Sequence, residues 1–296
     1  MPTYPVTWVD AFTTQPLSGN PCAVVFDADD LSDAQMLQLT REFNLSETAF
    51  VVTSQNADIG ARYFTVAEEI PLAGHPTIST IHALIESRQI KLTGEHTRIT
   101  LELRAGVIDV EIISNPNQPR RIVMSQKPPQ FLTIHTADEI LPIFGLDAGD
   151  LLPDAPIQTV STGTPQLFIA VRDLEALRKV RLDVAGYLTL RERSDFFSAH
   201  LFCTQGATAE GSTFALHFGV PPIAAQDPFT GSATGGMAAY LWHHGLIDTP
   251  QFIAEQGHWM GRPGQASVEI IGTHDHIETI KVGGSAVTFL RGELTL

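Results

Sequence analysis

Two stretches decide the reading: Pro71-Leu72-Ala73-Gly74-His75-Pro76-Thr77 and Asp227-Pro228-Phe229-Thr230-Gly231-Ser232-Ala233-Thr234-Gly235-Gly236. Each sets a proline, a glycine and a polar side chain at the entrance to an apolar helix. Glycine lets the backbone turn tightly and lets a ligand come close. The helix start presents N–H groups without intrahelical partners and the positive end of the dipole. One such start is a modest anion site. Two, at matching places in two halves, point to a small anion held between two helix ends.

Outward from the first stretch, Pro76 is expected at the first helical position, followed by Ile78, Ile81, Leu84 and Ile85. After Gly231 come Ala233, Met237, Ala238, Ala239, Tyr240, Leu241 and Trp242, and a helix apolar nearly all round is buried. Ser32-Asp33 is expected to cap a helix with Met36, Leu39 and Phe43 on one face. The β-branched and aromatic runs 6–12, 22–26, 48–53, 60–64, 98–103 and 107–113 read as strands. So do 121–125, 157–162, 167–171, 200–204 and 212–218, with 183–193 as a surface helix. Asn115-Pro116-Asn117-Gln118-Pro119 is the candidate linker. Gly19-Asn20-Pro21-Cys22 has a counterpart in Gly163-Thr164-Pro165-Gln166, which with the twin glycine stretches indicates a divergent repeat. The expectation is one barrel-like unit, duplicated, each around a central helix, with the site in the cleft between them.

At 296 residues the chain allows about two domains, at roughly 150 residues each. A hydrophobic fraction of 43% with 17% charged residues is ordinary for a globular protein. Eighteen Lys+Arg against 33 Asp+Glu give a net charge of −15, which disfavours nucleic acid and anionic membrane surfaces. No signal peptide or membrane-length apolar run is read. The two cysteines, Cys22 and Cys203, sit in apolar strand-like settings and are expected as buried free thiols of a cytoplasmic protein.

Glu47 stands at the edge of an apolar strand, where desolvation raises a carboxyl pKa toward the range a general acid/base needs. A surface glutamate at a strand end would look the same. His75, at a helix mouth, could shuttle a proton or simply fill the core. Asp227, before Pro228, is either a site carboxylate or a turn opener. Ser232 is expected as the N-cap of its helix, a role compatible with ligand binding. His243 and His244 are adjacent and cannot chelate one metal together. No zinc, Walker, dinucleotide or G-x-S-x-G motif occurs.

Taken together, Val9-Asp10-Ala11-Phe12-Thr13, Gly19-Asn20-Pro21, Ser46-Glu47-Thr48-Ala49-Phe50, Gly74-His75-Pro76-Thr77, Ser161-Thr162-Gly163-Thr164-Pro165, 227–233 and Gly261-Arg262-Pro263 resemble the phenazine-biosynthesis PhzF-like family. The resemblance runs the length of the chain. It implies an α+β, diaminopimelate epimerase-like fold of two pseudo-symmetric, barrel-like mixed sheets, each wrapped around a central helix. The units are expected at 1–117, with 283–296 returning to it, and 118–282. The resemblance further implies no cofactor and a homodimer. It implies Glu47 as the acid/base, with His75 and Asp227 beside the substrate. Asn20, Gly74, Gly231 and Ser232 would bind it. The family reaction it implies isomerises trans-2,3-dihydro-3-hydroxyanthranilate by moving a proton between ring carbons.

Epimerases of this fold use one cysteine from each half, whereas Ala73 and Thr230 occupy those places here. Gln226 and Val66 depart from common family residues near the site. The expected function is therefore a cofactor-independent isomerase of a small carboxylated, amino- or hydroxy-substituted cyclic substrate, acting by Glu-mediated proton transfer between carbons. The alternatives are an epimerase or racemase using carboxylate and histidine bases, and a non-catalytic small-molecule binding protein.

Overall fold

The computed structural model describes residues 1–219 and 226–296. The chain divides into two compact units, the first comprising 1–125, 261–264 and 283–296, the second 126–260 and 265–282.

The first unit holds β1 (Thr3–Ala11), β2 (Asn20–Val25), β3 (Glu47–Val52), β4 (Ile59–Thr65), β5 (Glu69–Ile70), β6 (His96–Leu103), β7 (Gly106–Ile113) and β8 (Arg121–Ser125). The chain's last strand, β17 (Ala286–Thr295), joins them by pairing antiparallel with β1 from Thr3↔Thr295 to Ala11↔Ala286. From there the row runs β1/β2 antiparallel, β2/β3 parallel, β3/β4 antiparallel, β4/β6 parallel, then β6/β7 and β7/β8 antiparallel. The central helix α2 (Gly74–Glu86) is buried at every residue from Gly74 to Ile85. It packs against β1, β2 and β3 and also against β17 and β8, from the two ends of the row, so the sheet curls round it.

The other face of these strands carries Tyr4, Val6, Ala23, Val25, Phe50 and Phe64, which pack with Met36 and Leu39 of α1 (Asp33–Phe43). The strict alternation of strand side chains is what lets one sheet serve two helices. Helix α1 starts as expected, with a capping box between Ser32 and Gln35.

The second unit holds β9 (Gln130–His135), β10 (Ile157–Ser161), β11 (Pro165–Ala170), β12 (Ser198–Cys203), β13 (Thr213–Phe218), β14 (Gln251–Gln256), β15 (Gly264–Gly272) and β16 (Ile277–Gly284). Its helices are α3 (Ala137–Ile140), α4 (Leu174–Arg178), α5 (Val184–Glu192) and α6 (Gly231–His243). Its pairings repeat those of the first unit: β10/β9 antiparallel, β10/β11 antiparallel, β11/β12 parallel, β12/β13 antiparallel, β13/β14 parallel. Phe168 and Phe202 meet Tyr240 of α6. On the opposite face Leu167, Ile169, Leu201 and Leu216 pack with Tyr187 and Leu190 of α5. Gly236 admits the Phe168 ring, whose tip would lie 2.5 Å from a Cβ there.

Three local expectations are corrected. The 115–119 stretch is no linker: β8 continues the β7 pairing as Ile113↔Arg121 to Val110↔Met124, so the prolines sit in a connection inside the first unit. Pro76 is the third helical residue rather than the first, because Gly74 already has helical conformation. Ser232 is the second residue of α6, and Thr230 is its N-cap.

Candidate active site

In the first unit, three chain segments open close together. The parallel β2/β3 register (Ala23↔Thr48) aligns the strand starts, which places Asn20 and Glu47 at the same end of the sheet. Helix α2 opens at Gly74 and delivers His75 there. His75 Nε2 lies 3.3 Å from Glu47 Oε2, with the histidine side chain 6% and the carboxylate 20% exposed. His75 Nδ1 lies 3.2 Å from Asn20 Nδ2.

The amide nitrogen of Asn20 can only donate, so His75 Nδ1 accepts and the ring proton sits on Nε2, facing the carboxylate. Burial pushes the imidazole pKa down to about 3, so His75 is neutral at ordinary pH, and its buried Nε2 approaches Glu47 without completing a hydrogen bond.

In the second unit, Asp227 donates its backbone N–H to His217 O at 3.0 Å. Its side-chain oxygen accepts from Thr230 Oγ1, and Gln256 Nε2 donates to its carbonyl at 2.7 Å. Ser232 Oγ accepts from Gln166 Nε2 at 3.2 Å. Gly231 O accepts from Gln126 Nε2 at 2.9 Å, and Gln126 Oε1 in turn accepts from Thr162 Oγ1. Sequence reading missed these three glutamines. Gln166 is detectable only as the polar member of the Gly-Thr-Pro repeat stretch, and Gln126 and Gln256 carry no sequence signal.

The helix starts share a further property. Ala73 and Thr230 both have the extended conformation of an N-cap, yet neither makes a side-chain cap hydrogen bond, and neither first turn carries an acidic residue. Thr230 turns its hydroxyl to Asp227 instead. The contrast with the capping box of α1 is plain. Helix starts of this kind leave their N–H groups and dipole to favour an anion.

The repeat also reveals an asymmetry. The Gly19/Gly163 match aligns Ala23 with Leu167, and the registers Ala23↔Thr48 and Leu167↔Ala199 then align Glu47 with Ser198. Gly74 aligns with Gly231, and so His75 with Ser232. A carboxylate stands at this place in the first unit only. Nor is there a thiol base: Ala73 and Thr230 hold the N-cap places, while Cys22 and Cys203 are free and buried. Burial raises both thiols above their ordinary value, the Glu47 charge adding to the effect at Cys22. Among the described residues, no group of three or more His, Cys, Asp or Glu is gathered for a metal ion. A groove of about 430 Å³ lined by His82, Glu86 and the 286–291 segment holds none of the residues above.

The phenazine biosynthesis-like protein family matches residues 9–292. A trans-2,3-dihydro-3-hydroxyanthranilate isomerase of Pseudomonas chlororaphis is 34% identical, over 97% of this chain and 98% of that one. The crystal structure of a PhzF-family phenazine biosynthesis protein of Bacillus anthracis superposes with a TM-score of 0.90 at 30% identity, over 100% of both chains. A hydroxyproline epimerase of Agrobacterium vitis shares the fold at 14% identity, with a TM-score of 0.65 over 99% of this chain and 93% of that one. The fold is thus the α+β, diaminopimelate epimerase-like one, and the chain is an isomerase. Its two glycine-led helices, its repeated strand order and these likenesses agree: the chain belongs to the phenazine biosynthesis-like, PhzF family.

Proposed function

We propose that this isomerase needs no cofactor and moves a proton between two carbons of a small cyclic carboxylate bearing an amino or hydroxyl group, with Glu47 carrying the proton. The observation that carries the reading is the 3.3 Å approach of Glu47 Oε2 to His75 Nε2 at the uncapped start of α2. It is supported by the lack of a second carboxylate or a thiol at the equivalent places. One base serves a shift along a conjugated system, whereas inversion at one carbon calls for bases on both faces.

In the proposed reaction the Glu47 carboxylate removes a proton from an sp³ carbon. The electron pair left behind spreads through the conjugated system toward the substrate's acid group, which the helix-start N–H groups of Gly74 and Gly231 stabilise as charge grows there. The Glu47 acid then protonates a different carbon of that system. The proton and electron count is unchanged, and no oxidant or reductant is needed. His75, kept neutral by burial, stands 3.3 Å from the carboxylate and leaves the proton to Glu47. Asn20 and Asp227 orient the amino or hydroxyl groups, and Ser232 bonds the acid.

The test is Glu47→Gln, assayed with trans-2,3-dihydro-3-hydroxyanthranilate as the probe substrate. kcat should fall by at least about 10²-fold, the low end of general acid/base contributions, with KM within about three-fold. Undiminished kcat removes Glu47 from the chemistry.

A further inference from the structure

Asp10 and Arg262 take no part in the chemistry above, yet they meet inside the first unit across most of the chain's length. The Asp10 side chain is 2% exposed and sits near the end of β1. A carboxylate so buried is costly unless paired and hydrogen-bonded. Arg262 Nη2 lies 2.7 Å from Asp10 Oδ1 and 3.0 Å from Ser18 O, while Nε donates to Gly19 O at 2.9 Å. Asp10 Oδ2 accepts the Leu17 N–H at 2.7 Å, and the Gly19 N–H donates to Pro263 O at 2.9 Å.

All five bonds end on, or hold, the turn Leu17-Ser18-Gly19. That turn is strained. Leu17 has φ 65 and Gly19 φ 58, and a Cβ on Gly19 would lie 2.1 Å from Ala11 O. Leu17 is 60% exposed, so packing does not hold it in the left-handed region. Its N–H bond to Asp10 does. A buried ion pair is poor evidence of stabilisation for its own sake. Here it fixes one short piece of backbone, and the next residue is Asn20.

We propose that Asp10 and Arg262 are positioning residues. By clamping the 17–19 turn they hold the Asn20 amide against His75 Nδ1, which keeps the ring proton on Nε2, the nitrogen nearer Glu47. The inference rests on the reading of Glu47 as the proton carrier, but its first readout needs no turnover.

The test is Asp10→Asn and Arg262→Gln, each compared with the unmodified protein by ¹⁵N spectroscopy of the histidine rings without substrate. The unmodified protein should show His75 as the Nε2–H tautomer, and both variants a tautomer mixture. With trans-2,3-dihydro-3-hydroxyanthranilate as probe, kcat should fall about ten-fold, as a small misplacement allows, with KM within about three-fold. The acid limb of the kcat–pH profile should move to higher pH, since a carboxylate that faces a ring lone pair in place of an N–H is protonated more easily. If a variant fails to fold, Arg262→Lys, which keeps the charge and loses the fork, should show the same tautomer mixture. An unchanged tautomer and acid limb in folded variants, with only melting lowered, overturns the inference. Turnover surviving in Glu47→Gln would sink the Glu47 reading alone, leaving the spectroscopic result to judge the clamp.

Discussion

His75 and His217 are both pushed down to about 3 by burial, and His200 is held well below its usual value by burial and by His217, 3.3 Å away. Each is neutral in the folded protein and free to protonate once unfolded, near pH ~6.5. Between about pH 6.5 and 3 the unfolded chain therefore binds more protons, so stability is complete above that window and falls as pH drops through it. The urea midpoint should decline across this range, and His217→Gln should flatten the decline even if the midpoint at neutral pH is lower. An equal slope in that variant would show that His217 titrates alike in both states. Of the residues at this scale, His75, Asn20, Asp227 and Ser232 are visible in the sequence because each lies in a short glycine- or proline-marked stretch, and Glu47 because it is a carboxylate at the edge of an apolar strand. The Asp10–Arg262 pair is not, because its members meet only through folding. Its one local sign is a carboxylate set inside the apolar run Val9-Asp10-Ala11-Phe12.

The two glycine-led helices were legible as elements because Gly74 and Gly231 precede near-continuous apolar runs, and each helix proves to be 13 residues long. Their N-caps were not legible. Glycine and serine are common at helix starts, so sequence alone favours Ser232 as the cap, whereas the turn at Asp227 places Thr230 there. The uncapped start of α2 gives a prediction. Ala73→Asp fits the extended backbone already present and should stabilise the protein by about 1 kcal/mol, as N-cap replacements of alanine do. The same carboxylate would repel an anionic ligand, so kcat/KM for the probe carboxylate should fall while the melting temperature rises. A rise in both would detach the helix start from binding. In α6, Gly236→Ala pushes a methyl into the Phe168 ring. The outcome should be a loss of about 1–3 kcal/mol in urea unfolding, outweighing the ordinary helix gain of roughly 1 kcal/mol for glycine to alanine.

At the scale of the molecule, a charge of −15 surrounds a site read as binding an anion. The general field opposes approach while the local helix-start dipoles favour docking. Raising ionic strength from about 0.01 to 0.15 M, which shortens screening from roughly 30 to 8 Å, should therefore raise kcat/KM about two-fold. A fall would show that local positive groups dominate the approach. Among the described residues, no helix is long and apolar enough to cross a membrane. The repeat was legible from two glycine stretches, but not the place where one unit gives way to the other, since β8 looks like any strand until its pairing with β7 is known. The pairing of β17 with β1 also sets an order of assembly. Domains generally fold as units, the N-terminal one first during synthesis. Here the strand that flanks β1 follows the whole second unit in the chain. The first unit, which carries Glu47, is therefore completed only by a strand made after the second unit, while the second unit can finish before it.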